Sequence, residues 1–105
     1  MSDMNTYFRT KAQSIVTECV RRDWDLGWIE RGCCLHLESS ELTEAMQGKG
    51  EDSVASEIGD VLFVLLSIMG DRDIPFNEVL DSLDKKILGL QKNEIHGVDS
   101  EGDPA

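Results

Sequence analysis

Proline is nearly absent from this 105-residue chain, which has only Pro75 and Pro104. Strict apolar–polar alternation, the mark of half-buried strands, is as scarce, so helical periodicity dominates and a β-sheet domain is excluded. Cysteine is sparse too: Cys19, Cys33 and Cys34 form an odd set without C-x-x-C spacing. That excludes a zinc site and a disulfide framework, and it favours reduced packing thiols over a redox pair at Cys33–Cys34. Basic residues are few, with 10 Lys and Arg against 21 Asp and Glu for a formal charge of −11. Arg21–Arg22 and Lys85–Lys86 are mere doublets, so a nucleic-acid polymer is not a partner. The apolar run from Val61 to Met69 is far shorter than the roughly 20 residues a membrane span needs. Met1–Asn5 lacks the basic and apolar regions of a signal peptide. The expectation is one cytoplasmic domain with little core to spare, which gains by burying helix faces against a second copy.

What is present reads as four helices. Phe8, Ala12, Ile15, Val16, Cys19 and Val20 line one face of a first helix, with Asn5 or Thr6 as its cap. Residues 23–28 interrupt the pattern as a connecting turn. A second helix runs from about Arg31 to Gln47, with Leu35, Leu42, Ala45 and Met46 as apolar positions, and Gly48-Lys49-Gly50 ends it. Asp52 or Ser53 caps a third helix that continues to about Met69 and closes at Gly70 and Asp71. The fourth starts at Asp73-Ile74-Pro75, where proline suits a first turn. Its buried side carries Phe76, Val79, Leu80, Leu83, Ile87, Leu88 and Leu90. Residues 94–105 turn polar and read as a flexible tail after a domain spanning 1–93.

Two acidic pairs stand out, Glu38/Glu41 and Glu57/Asp60, each spaced i,i+3 and so sharing one helix face. Alone, Glu38/Glu41 reads most simply as a solvated stripe, extended by Glu44. Glu57 and Asp60 differ because their face continues into Val61 and Val64, on a helix apolar nearly all round from Val61 to Met69. Burying an unpaired carboxylate is costly, so a cation must offset it, either a basic side chain or a metal. The third helix has no Lys or Arg before Arg72. Gly59, between the two acids, gives up roughly 1 kcal/mol of helix propensity, which a close-lying backbone or ligand would justify. If the helices pack side by side, four carboxylates converge, and such all-oxygen ligation suits Mg²⁺, with Mn²⁺ as a substitute. A di-iron bundle needs Glu-x-x-His on two helices; the histidines here, His36 and His96, do not follow a Glu at that spacing.

At these residues the sequence resembles the MazG-like all-α nucleoside triphosphate pyrophosphatases. Glu57-Ile58-Gly59-Asp60-Val61-Leu62-Phe63 is similar to the family's E-L-G-D-V-L-F, and Glu41-Leu42-Thr43-Glu44-Ala45 to its E-L-x-E-A. Arg22-Asp23-Trp24 is similar to the R-D-W of the dCTP pyrophosphatase branch. The resemblance implies an all-α, four-helix bundle-like fold completed by a homodimer or homotetramer. It implies hydrolysis of (d)NTPs between the α and β phosphates, as nucleotide-pool housecleaning with a dCTP-like preference. By the same resemblance Glu38, Glu41, Glu57 and Asp60 ligate Mg²⁺, Glu41 lies nearest the attacking water, and Trp24 stacks on the base. Two readings stand for Trp28, packing at a helix junction or joining Trp24 on the base. Two stand for Lys85 and Lys86, phosphate ligands or solvated lysines. Three departures accompany the match: Leu37 precedes Glu38 where relatives are often acidic, the last-helix basic residues are spaced differently, and Gly27-Trp28-Ile29 replaces F-H and a proline. The competing reading from another class is a non-catalytic helical adaptor whose acidic stripe binds a basic protein.

Overall fold

A computed structural model describes residues 2–93 and contains four helices and no strand among them: α1 (Ser2–Arg21), α2 (Trp28–Met46), α3 (Val54–Asp71) and α4 (Phe76–Asn93). The expected tail at 94–105 lies outside the described residues. The chain divides into two units, one ending at Pro75 and one beginning at Phe76.

In the first unit α3 packs against both α1 and α2. Ser53 caps α3, its hydroxyl accepting the Ser56 N–H at 3.0 Å, which satisfies one of the orphan donors of a helix start. α2 begins at Trp28, three residues before the expected Arg31, with Gly27 in the cap position. α1 begins at Ser2, so Asn5 and Thr6 lie within the helix rather than capping it.

All three helices stop in the same way. Asp23, Gly48 and Asp73 adopt positive φ of 60°, 77° and 55°. The next residue then turns its N–H back to a carbonyl in the last turn: Trp24 to Cys19 at 2.8 Å, Lys49 to Glu44 at 2.8 Å and Ile74 to Met69 at 2.9 Å. This is the Schellman arrangement, which pairs carbonyls that a helix end leaves orphaned. Glycine enters that left-handed conformation freely, and aspartate is among the few other residues that do.

The core of the first unit is thin. Ala12, Cys19 and Val64 are its buried apolar residues, with Ser67, Arg31 and Glu57 buried beside them. On α1, Phe8, Ile15 and Val16 are half-buried as the periodicity requires, but Val20 is exposed, since it faces away as the chain turns at Asp23. The expectation that α3 is buried on most sides is corrected: Val54, Ile58, Leu62 and Leu65 form an exposed apolar stripe on it, and Met46 is exposed on α2.

In the second unit, α4 places Phe76, Val79, Leu80, Leu83, Ile87 and Leu90 along one side. That side is not buried as expected. Val79, Leu83, Ile87, Leu88 and Leu90 are all exposed in the single chain. Pro75 directly precedes the helix rather than sitting in its first turn, a one-residue difference of the kind helix ends commonly show.

Two glycines of α3 play opposite parts. A Cβ at Gly70 would lie 2.8 Å from the Ala12 carbonyl oxygen and 2.8 Å from Val16 Cγ2, so α1 and α3 approach through the missing side chain. At Gly59 a Cβ meets nothing within 4 Å, so no close-lying backbone of this chain explains that glycine. Gly70→Ala is therefore expected to destabilise the protein by about 1–3 kcal/mol through overpacking. Gly59→Ala is expected to stabilise the isolated chain by roughly 0.5–1 kcal/mol through helix propensity. Urea unfolding of both variants checks the pair, and equal effects would refute the assignment.

Candidate metal centre

Packing α2 against α3 brings the two acidic pairs together. Glu38, Glu41, Glu57 and Asp60 each offer a carboxylate oxygen, and these oxygens lie within 4.8 Å of one another. Helical spacing sets each pair on one face, and Ser53 fixes where α3 starts and so which face meets α2. Glu57 is 4% exposed, Glu38 and Glu41 are half-buried and Asp60 is exposed. Asp60 therefore departs from the expectation that both acids of α3 enter the buried region. The shielding of Glu57 comes from its immediate neighbours rather than from depth, because α3 is only partly covered in this unit.

The electrostatics of the cluster are those of an incomplete site. Glu57 Oε1 and Glu38 Oε1 are buried without hydrogen-bond partners. No Lys, Arg or His forms an ion pair with the four acids among the described residues. Burial pushes the Glu57 carboxyl up to about 7, reinforced by the neighbouring carboxyls of Asp52, Asp60 and Glu41. The Glu38 carboxyl is raised in the same direction, by burial first and then by Glu41 and Asp60. Like charges in a shielded place disfavour ionisation, and a divalent cation reverses that preference. The donor set is entirely carboxylate oxygen, which fits a hard cation such as Mg²⁺ or Mn²⁺.

Two hollows adjoin the cluster. One, of about 240 Å³, is lined by Glu41, Glu44, Lys49, Asp52 and Glu57 at the loop between α2 and α3. The other, of about 640 Å³, runs along α2 past Glu38 and is walled by Trp24, Arg31, Cys34, Phe63 and Val64. The turn at Asp23 swings Trp24 toward α3, where its ring meets Phe63 edge-on at 6.5 Å. Trp28 is not among the residues of that cleft; the Arg72 guanidinium lies over its ring at 3.9 Å. Lys85 and Lys86 are exposed on α4, in the second unit.

Sequence reasoning did not assign Arg31, Lys49 or Asp52 to this region. Asp52 was readable only as a cap candidate, and Lys49 only as part of a glycine-flanked helix end. Arg31 gave no signal, because nothing in a sequence marks an arginine as buried.

The architecture is all-helical, and two of its helices share a carboxylate cluster that could hold a metal ion. The chain belongs to the MazG family: the model of the MazG nucleotide pyrophosphohydrolase domain matches residues 33–93. The match includes all four carboxylates and begins after Trp24, Trp28 and Arg31. No curated protein and no solved structure matches the chain. No described helix is long and apolar enough to cross a membrane.

The raised Glu57 carboxyl has a thermodynamic consequence. Its folded-state value of about 7 lies above the usual 4.5, so between those pH values the folded chain holds a proton that the unfolded chain has released. Its contribution to stability is present in full below pH 4.5 and is lost as pH rises through about 7. In EDTA the melting temperature should therefore fall between pH 5.5 and pH 8, and millimolar Mg²⁺ should restore it at pH 8 far more than at pH 5.5. Thermal melts in the four conditions check this, and a metal effect independent of pH would contradict it.

Proposed function

We infer that this protein is a Mg²⁺-dependent nucleoside triphosphate pyrophosphohydrolase, cleaving (d)NTPs between the α and β phosphates to a nucleoside monophosphate and pyrophosphate. The observation that carries this reading is the convergence of Glu38, Glu41, Glu57 and Asp60 from two helices within a MazG domain. The reading includes a nucleotide-pool housecleaning role and a preference that extends to dCTP. Manganese is the natural substitute cation.

In this mechanism Glu38, Glu41, Glu57 and Asp60 would hold the cation, which would supply charge neutralisation for the triphosphate and a more acidic water. Glu41, which belongs to the cluster and also lines the smaller hollow, accepts the proton of the attacking water. Water adds across the α–β anhydride, the bridging P–O bond breaks, and pyrophosphate leaves. Lys49 lines the same hollow and offers a counter-charge for the phosphates, with Lys85 or Lys86 as further candidates. The base occupies the larger cleft and stacks on Trp24, whose ring lies edge-on to Phe63 in the same cleft. The exposed apolar stripes of α3 and α4 support a homodimer or homotetramer in which chains would complete one another's bundle.

An adaptor with an acidic docking stripe would need its carboxylates in solvent, whereas three of these four are half-buried or buried. Purified protein incubated with a (d)NTP panel should release pyrophosphate with Mg²⁺ and none with EDTA. Glu57→Gln should reduce kcat at least about 100-fold, by loss of a ligand that positions the cation. The same variant should lose the Mg²⁺-induced rise in melting temperature. Release of orthophosphate, or full activity in Glu57→Gln, would overturn the reading.

A further inference from the structure

α2 carries a buried charge that the carboxylate centre does not use. Arg31 is 6% exposed, and its guanidinium meets only neutral acceptors: Nη1 donates to Ser67 Oγ at 3.3 Å and Nη2 to Cys34 Sγ at 3.4 Å. Its buried Nε–H has no partner, and no carboxylate forms an ion pair with it among the described residues. A guanidinium has five N–H donors, so three remain to be satisfied. Desolvating a cation without an anion is unfavourable, and packing alone would be served better by Met or Leu. The Ser67 hydroxyl is itself committed, donating to the Val64 carbonyl at 2.6 Å.

The place of Arg31 says what would complete it. It lines the larger cleft with Trp24, Phe63, Val64 and four acidic residues, Asp23, Asp25, Glu30 and, farther along, Glu38, none of which forms an ion pair with it among the described residues. Arg31 and Glu38 are seven residues apart on one helix, roughly 10 Å along its axis, a separation that a nucleoside bridges. The phosphates of a nucleotide belong with the cation at the carboxylate end, whereas the acidic side chains of Asp23, Asp25 and Glu30 in this cleft would repel them and Trp24 and Phe63 offer ring faces. The missing acceptors are therefore those of a planar, neutral ring.

Resting on the nucleotide reading above, we propose that Arg31 is a specificity-determining residue that reads the nucleobase, donating paired hydrogen bonds to two neighbouring acceptors on its edge. Guanine presents O6 and N7 in this way, and cytosine presents O2 and N3. Adenine sets an amino donor beside N7, and uracil and thymine place an N–H between their carbonyls. The preferred substrates are then cytosine or guanine nucleotides, and both the fork geometry and the charge of arginine matter.

The test measures binding of dCMP, dGMP, dTMP and dAMP by calorimetry to the full chain and to Arg31→Met and Arg31→Lys, with melting temperatures and kcat and KM for the four triphosphates alongside. The wild type should favour dCMP or dGMP over dTMP and dAMP by roughly 10- to 100-fold, the discrimination typical of a paired contact. Arg31→Met should bring the four within about threefold, mainly through KM, and melt no lower than the wild type, since its charge has no anion to lose. Arg31→Lys, keeping the charge without the fork, should also lose most of the preference. A wild type without that preference, or an unchanged preference in Arg31→Met, overturns the proposal. An equal loss for all four bases with weaker pyrophosphate binding makes Arg31 a phosphate ligand, and a lower melting temperature with intact preference makes it structural; both overturn it. If the wild type hydrolyses no triphosphate, the enzyme reading falls, and monophosphate binding still decides the role of Arg31.

Discussion

Repulsion among carboxylates is built into the contact that organises the first unit. α2 and α3 cannot pack in this register without crowding Glu38, Glu41, Glu57 and Asp60 together. Apolar burial in the unit is modest, with only three apolar residues deeply buried, so little hydrophobic gain is available to oppose that repulsion. The structure eases the constraint by letting Asp60 stay in solvent, while burial and neighbouring carboxyls raise the affinity of Glu57 and Glu38 for a proton. A divalent cation bound there would remove the conflict at its source, and its binding would then be linked to folding.

Much of this was legible in the sequence, for physical reasons that differ by element. Helix order and the cap at Ser53 follow from periodicity and from local side-chain–backbone bonding, both of which are short-range. Glu57 was readable from the apolar helix that its face runs into, whereas Glu38 and Glu41 stood out mainly by order, spacing and resemblance, since a solvated stripe has the same local pattern. The ends of α1 and α3 fall where the pattern placed them, but the left-handed turns that make them were not legible, because Asp23 and Asp73 take a conformation that glycine announces and aspartate does not. Arg31 was opaque, since its burial depends on how α2 is rotated against α3. The face of α4 was misread because amphipathicity says that a surface seeks cover without saying which chain provides it.

The exposed apolar stripes bear on the same point. Val54, Ile58, Leu62 and Leu65 on α3 run alongside the residues that form the cluster, on a neighbouring face of the same helix. Covering that stripe would hold α3 more firmly against α2 and shield the acids further. Assembly and cation affinity would then be coupled through the rigidity of a single helix.

The left-handed turn at Asp23 gives the Arg-Asp-Trp tripeptide a grammar of its own. Arg22 follows the last helical residue, Asp23 reverses the chain, and Trp24 hands its N–H back to Cys19 while its ring crosses toward Phe63. Such a tripeptide looks like chemistry but acts first as a hinge of fixed angle. Evolutionary drift at position 23 is confined to residues that tolerate the left-handed basin, chiefly Asn, Gly and Asp. Positions 22 and 24 carry no such backbone restriction, so their side chains could change while the bend that aims the ring is kept.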